Sequence, residues 1–154
     1  MIDGIEKCKD NIADYLQDAQ IIAKTGRLYH AIISLEFALE EFGKILLLKE
    51  NLTNDKRDPV EINGNEFCSH SRKADRALRV LDPRQKFRVL FEGFWERGFW
   101  EAGMWEGETV IGDSTRLDCC FVDFIKNEWA LGRKINPDYF QEFVALIEQE
   151  IRRI

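Results

Sequence analysis

The stretch from Arg27 to Glu50 constrains the fold more than any other part of the chain. Leu28, Ala31, Ile32, Leu35, Ala38, Leu39, Phe42, Ile45 and Leu46 recur at the helical period and form one apolar stripe. Tyr29, Ile33, Phe37 and Leu47 lie outside that stripe, so this helix is apolar around much of its circumference. Such a helix needs neighbours on several sides, which places it in the middle of a bundle.

The rest of the chain supplies those neighbours. From Asp3 to about Lys24, Ile5, Cys8, Ile12, Tyr15, Leu16, Ala19 and Ala23 recur at helical steps and predict a first helix, which Gly26 separates from the central one. Asn51 to Asn65, with Asn54, Asp55, Pro59 and Gly64, has the composition of an exposed loop. A third helix is predicted from near Glu66, with Phe67, Ser71, Ala74, Ala77, Leu78 and Leu81 on one face, and Asp82-Pro83 breaks or bends it. Phe87, Leu90, Phe91, Phe94, Trp95 and Phe99 predict a fourth, aromatic-rich helix, which Gly93, Gly98 and Gly103 weaken by about 1 kcal/mol each relative to Ala.

Glu106 to Asp113 reads as loop, and Arg116 to Ile125 fits either a short extended piece or a few helical turns. The last helix has an N-cap in Asn136, a proline at the first helical position in Pro137, and a stripe of Phe140, Phe143, Val144, Ile147 and Ile151. The expected fold is therefore all-α: one antiparallel helical bundle spanning residues 1–154, with a short irregular or extended segment before the last helix.

Composition narrows the class. With 154 residues, the chain has the length of one domain and can bury roughly 70% of its unfolded surface, with 45% hydrophobic residues to do so. A net charge of -6 counts against a nucleic-acid sleeve, whose affinity comes from Lys and Arg on phosphates, and leaves room only for a local basic patch. Cys8, Cys68, Cys119 and Cys120 have neither C-x-x-C spacing nor a histidine spaced for structural zinc, so they read as reduced thiols. The first residues are acidic where a signal peptide is basic, and no run approaches the ~20 apolar residues of a membrane span. A cytoplasmic protein without membrane contact is expected.

The chemistry-bearing residues gather on two helices. Glu36, Glu40 and Lys44 are neighbours at four-residue steps, while His30, Ser34 and Glu41 occupy another edge of the same helix. Charges on a central helix need partners, and an ion pair of Glu40 with Lys44 is one way to supply them. The third helix adds His70 and Lys73, and His70 could face His30 across the helix interface. Histidine is the side chain best suited to proton transfer near neutral pH, although one at the edge of an apolar face also serves simply as a satisfied core residue.

These residues carry a resemblance. The run Ser34 to Lys44 has the pattern Ser-x-Glu-x-x-x-Glu-Glu-x-Gly-Lys, which resembles the signature of AbiV-type abortive infection proteins of the HEPN superfamily. His70 and Lys73 within Phe67 to Lys73 are similar to that family's His-x-x-Lys step, and Phe121-Val122-Asp123-Phe124, Trp129 and Pro137 follow in the same order. The resemblance implies a HEPN helical bundle that forms a homodimer, arrest of phage-infected cells, and RNA or a phage-encoded protein as partner, with no cofactor. Aromatic residues from Phe87 to Trp105, more than one helix face can bury, also favour a second copy.

Many HEPN proteins are metal-independent ribonucleases with an Arg-x(4 to 6)-His motif, but neither His30 nor His70 follows an arginine at that spacing. The resemblance places any site at Glu40, Glu41, Lys44, His70 and Lys73, with His70 as acid or base and the lysines holding an anion. Two other readings remain: a structural polar network or interaction module built on the same residues, and a carboxylate-bridged metal site from Glu36, Glu40, Glu66 and His70.

Overall fold

The computed structural model describes residues 2–53, 67–87, 90–91, 122–125, 128–131 and 135–154. Two long helices come first, α1 (Ile2–Lys24) and α2 (Leu28–Thr53), joined by a tight turn at Gly26. Gly26 has φ of +80°, a left-handed conformation that costs a side chain energy, and its N–H donates to Ala23 O at 2.9 Å to close the end of α1. The turn sends α2 back along α1. Gly4 lies against Leu48, and the Tyr15 and Phe37 rings stack at 5.4 Å, so positions rise on α1 as they fall on α2.

The apolar spacing explains what is buried. Ile5, Cys8, Ile12, Leu16 and Ala19 of α1 face the core, as do Ala31, Ile32, Leu35, Ala38, Leu39, Phe42, Ile45 and Leu48 of α2. Leu47, outside the main stripe, is buried too, and Phe37 is half-buried against Tyr15; α2 is the central helix that its circumference predicts.

α3 (His70–Leu81) starts later than the expected Glu66. Ser69 caps it, its hydroxyl accepting from Arg72 N; Phe67 and Cys68, before the cap, are also helical, and Glu66 lies outside the described residues. The break at Asp82-Pro83 is present. Asp82 ends α3 by donating its N–H to Leu78 O at 2.7 Å, and its buried carboxylate accepts from Lys86 N at 2.8 Å and Phe87 N at 2.6 Å. α3 packs on α2, and the contacts climb both helices together: His70 meets Glu40, Lys73 meets Gly43, and Arg76 meets Glu50. The two helices therefore run in the same sense where they touch.

A two-stranded antiparallel hairpin supplies the extended segment before the last helix. β1 (Val122–Ile125) pairs with β2 (Glu128–Leu131) in the register Val122 to Leu131 and Phe124 to Trp129. Val122–Ile125, open between strand and helix on sequence grounds, is strand. α4 (Pro137–Arg153) has the expected start, with Asn136 Oδ1 accepting from Asp138 N at 2.9 Å. Phe140, Phe143, Val144 and Ile147 enter the core, where Phe143 meets Phe87 at 5.3 Å and Phe91 at 5.2 Å. Phe87, Leu90 and Phe91 are thus buried within this chain; the remainder of the aromatic run lies outside the described residues, as do the loops at 54–66 and 106–113.

Candidate functional site

Five residues expected to matter converge where α1, α2 and α3 meet. Consecutive residues on a helix point about 100° apart, so Glu40 and Glu41 face different neighbours. Glu40 turns to α3, where its Oε2 lies 2.6 Å from His70 Nδ1 and 3.7 Å from Lys73 Nζ. Glu41 turns to α1. It accepts a hydrogen bond from the Cys8 thiol and pairs with Lys44 Nζ at 2.5 Å. The expected ion pair of Glu40 with Lys44 is therefore replaced by one between Glu41 and Lys44, because Glu40 is engaged by α3.

Burial sorts these groups by what they can reach. The His70 side chain is 57% exposed while that of its partner Glu40 is only 6% exposed. An ionised carboxylate accepts and does not donate, so the proton between them sits on Nδ1 and the imidazole is held by a buried anchor. Among the described residues, Nε2 has no hydrogen-bond partner. Lys44 keeps 24% of its side chain exposed, but Lys73 only 4%. Lys73 is thus a counter-charge for Glu40 rather than a surface cation. Burial and the neighbouring Lys44 ammonium push its pKa below the usual lysine range, against the pull of Glu41. His30 is exposed near the start of α2, so the residue facing His70 is Glu40 and not the second histidine.

Sequence reasoning passed over two members of this junction. Cys8 was placed on the apolar stripe of α1, and it is buried there, but its thiol also serves Glu41. Burial and then the Glu41 carboxylate push that thiol up to about 12. Gly43 is the other: a Cβ at this position would stand 2.1 Å from the carbonyl oxygen of Lys73, so α3 rests its backbone on α2 there. The signal for Gly43 was present in the run Glu40-Glu41-Phe42-Gly43-Lys44, where a glycine interrupts a helix rich in good helix formers.

Among the described residues no group of three or more His, Cys, Asp or Glu is arranged to hold a metal ion, and Glu66 of the carboxylate-bridged reading lies outside them. No helix among them is long and apolar enough to cross a membrane. What the junction does offer is an exposed imidazole, a buried carboxylate that orients it, and a partly exposed ammonium on the same pair of helices. A family model described as AbiV, of the HEPN type, matches residues 1–149. No curated protein and no solved structure matches the chain significantly.

Proposed function

The chain belongs to the AbiV family of HEPN proteins, and on that premise we propose that it arrests phage-infected cells by cleaving RNA at the His70–Glu40 pair. Family membership supports the abortive-infection role. The chemistry rests on one observation, the 2.6 Å contact between the exposed imidazole of His70 and the buried carboxylate of Glu40. With Nδ1 occupied by Glu40, Nε2 takes the proton of a ribose 2′-hydroxyl, the 2′-oxygen attacks the adjacent phosphorus, and the 5′-oxygen leaves with a proton from water. Lys44 supplies positive charge beside the phosphate, the task that arginine performs in the Arg-x(4 to 6)-His enzymes. Lys73, 3.7 Å from Glu40 and equally buried, supplies that carboxylate with a counter-charge.

The reading includes a cytoplasmic homodimer that meets RNA through this local site, since an overall charge of -6 gives no general attraction for a polyanion. The test is expression in a bacterial host with and without phage, scoring growth arrest and integrity of total RNA for the wild type and for His70→Ala and Glu40→Gln. Loss of arrest and of RNA cleavage is expected in both variants, at unchanged melting temperature for His70→Ala and at a lowered one for Glu40→Gln, which takes the counter-charge from buried Lys73. Arrest with intact RNA removes the nuclease, and loss of activity in His70→Ala only in step with a lowered melting temperature identifies a structural network. Sedimentation showing only monomer at micromolar concentration removes the dimer.

A further inference from the structure

α2 and α3 touch at one place with no room between their backbones. A Cβ built on Gly43 would lie 2.1 Å from Lys73 O, 2.6 Å from its carbonyl carbon and 2.8 Å from its Cα. All three are backbone atoms, so the neighbour cannot yield by turning a side chain; α3 as a whole would have to withdraw. Contacts below 3.0 Å are essentially never made by a real Cβ, which sets that withdrawal at nearly an ångström.

The same contact fixes the site. Glu40 precedes Gly43 by three residues, and His70 precedes Lys73 by three. Three residues are close to one helical turn, and α2 and α3 advance in the same sense, so one step back from the contact on each helix brings Glu40 opposite His70. A 2.6 Å hydrogen bond lengthened by nearly an ångström is at the limit where it ceases to be one. We infer that Gly43 is the positioning residue of the His70–Glu40 pair: its missing Cβ sets the separation of α2 and α3 at which Nδ1 meets the carboxylate. The geometric part is independent of any reaction, while its consequence for growth arrest rests on the proton-transfer reading above.

The experiment reads the imidazole directly. The chain has two histidines, and His30→Gln assigns the other set of ring signals to His70. In a long-range proton–nitrogen NMR spectrum, a ring with its proton fixed on Nδ1 has well-separated nitrogen shifts, whereas one that exchanges between tautomers has averaged shifts. Gly43→Ala is expected to fold and to move His70 from the fixed to the averaged pattern, with growth arrest falling at least tenfold. Gly4→Ala, whose Cβ would meet only the flexible Leu48 Cδ1 at 3.4 Å, is expected to leave the fixed pattern unchanged. Lys73→Met keeps the backbone contact and removes the ammonium, and is also expected to retain it.

A fixed pattern in folded Gly43→Ala overturns the inference. So does its loss in folded Lys73→Met, which would assign the aim to charge, and so does a Gly43→Ala chain that does not fold, since the contact would then hold the bundle rather than aim one pair. If Gly43→Ala loses the fixed pattern but keeps growth arrest, the positioning stands and the proton-transfer reading falls.

Discussion

The thiol of Cys8 on α1 donates a hydrogen bond to the carboxylate of Glu41 on α2, in a part of the core where both residues are buried. Its pKa, raised from 9.0 to about 12, leaves little thiolate near neutral pH. Peptide mapping after alkylation at pH 8 is expected to show Cys8 modified at least ~100-fold more slowly than the exposed Cys68.

The same raised value links Cys8 to alkaline stability. The folded thiol holds its proton up to about 12 and the unfolded one only to 9.0, so its stabilising contribution is complete below 9.0 and is lost as pH rises towards 12. Lys73 acts in the opposite direction. Its folded pKa lies below the ordinary 10.5, so stability gains from it as pH climbs from that lowered value to 10.5. Denaturant titrations across the alkaline range are expected to show the fall above 10.5 in the wild type and a much shallower one in Cys8→Ala.

Glu40 and Lys73 are an ion pair in which both side chains are almost fully buried. Removing one partner strands the other, and Glu40→Leu is expected to cost about 3 kcal/mol, in the range for a broken buried pair. Lys73→Met should cost less than half of that, because Glu40 retains His70. The double variant is expected to melt above Glu40→Leu alone; a melting temperature at or below that of the single variant would contradict the pairing.

At the far end of α3, the buried Asp82 carboxylate receives two backbone N–H groups, from Lys86 and Phe87. Asp82→Ala leaves both without that acceptor and is expected to destabilise the chain by about 1–3 kcal/mol in urea unfolding.

Phe143 carries the aromatic contacts that attach α4 to Phe87 and Phe91. Phe143→Ala is expected to cost about 3–5 kcal/mol, whereas Gly26→Ala, where nothing lies within 4 Å of the new Cβ, should cost about 1 kcal/mol from backbone strain alone. Thermal melts of the two variants check the order.

Helices α1, α2 and α4 were legible because each is bound by its own periodicity and punctuation: Gly26 stops one, and Asn136-Pro137 starts another. That Glu40, Glu41 and Lys44 share one helix, and His70 and Lys73 another, was legible for the same reason. Pairing was not. A helical wheel gives angles within an element but not the sense or height of its neighbour, so it offered Lys44 to Glu40 when α3 had already taken that carboxylate. Cys8 was invisible for a related reason, because an apolar stripe records that a thiol is buried and not what it faces. The start of α3 is set by Ser69, whose hydroxyl accepts from Arg72 N, a local cap that the apolar spacing of Phe67, Ser71 and Ala74 does not register.

Glu40 and Glu41 have a mechanical consequence as a pair. Apolar contacts are non-directional, and a helix coated with Leu and Ile can roll in its groove at little expense. α2 cannot, because rolling it towards α1 drags Glu40 from His70 and Lys73, and rolling it the other way pulls Glu41 off the Cys8 thiol. Two adjacent carboxylates, tethered to two different helices, act as a detent that clocks the central helix to a single angle.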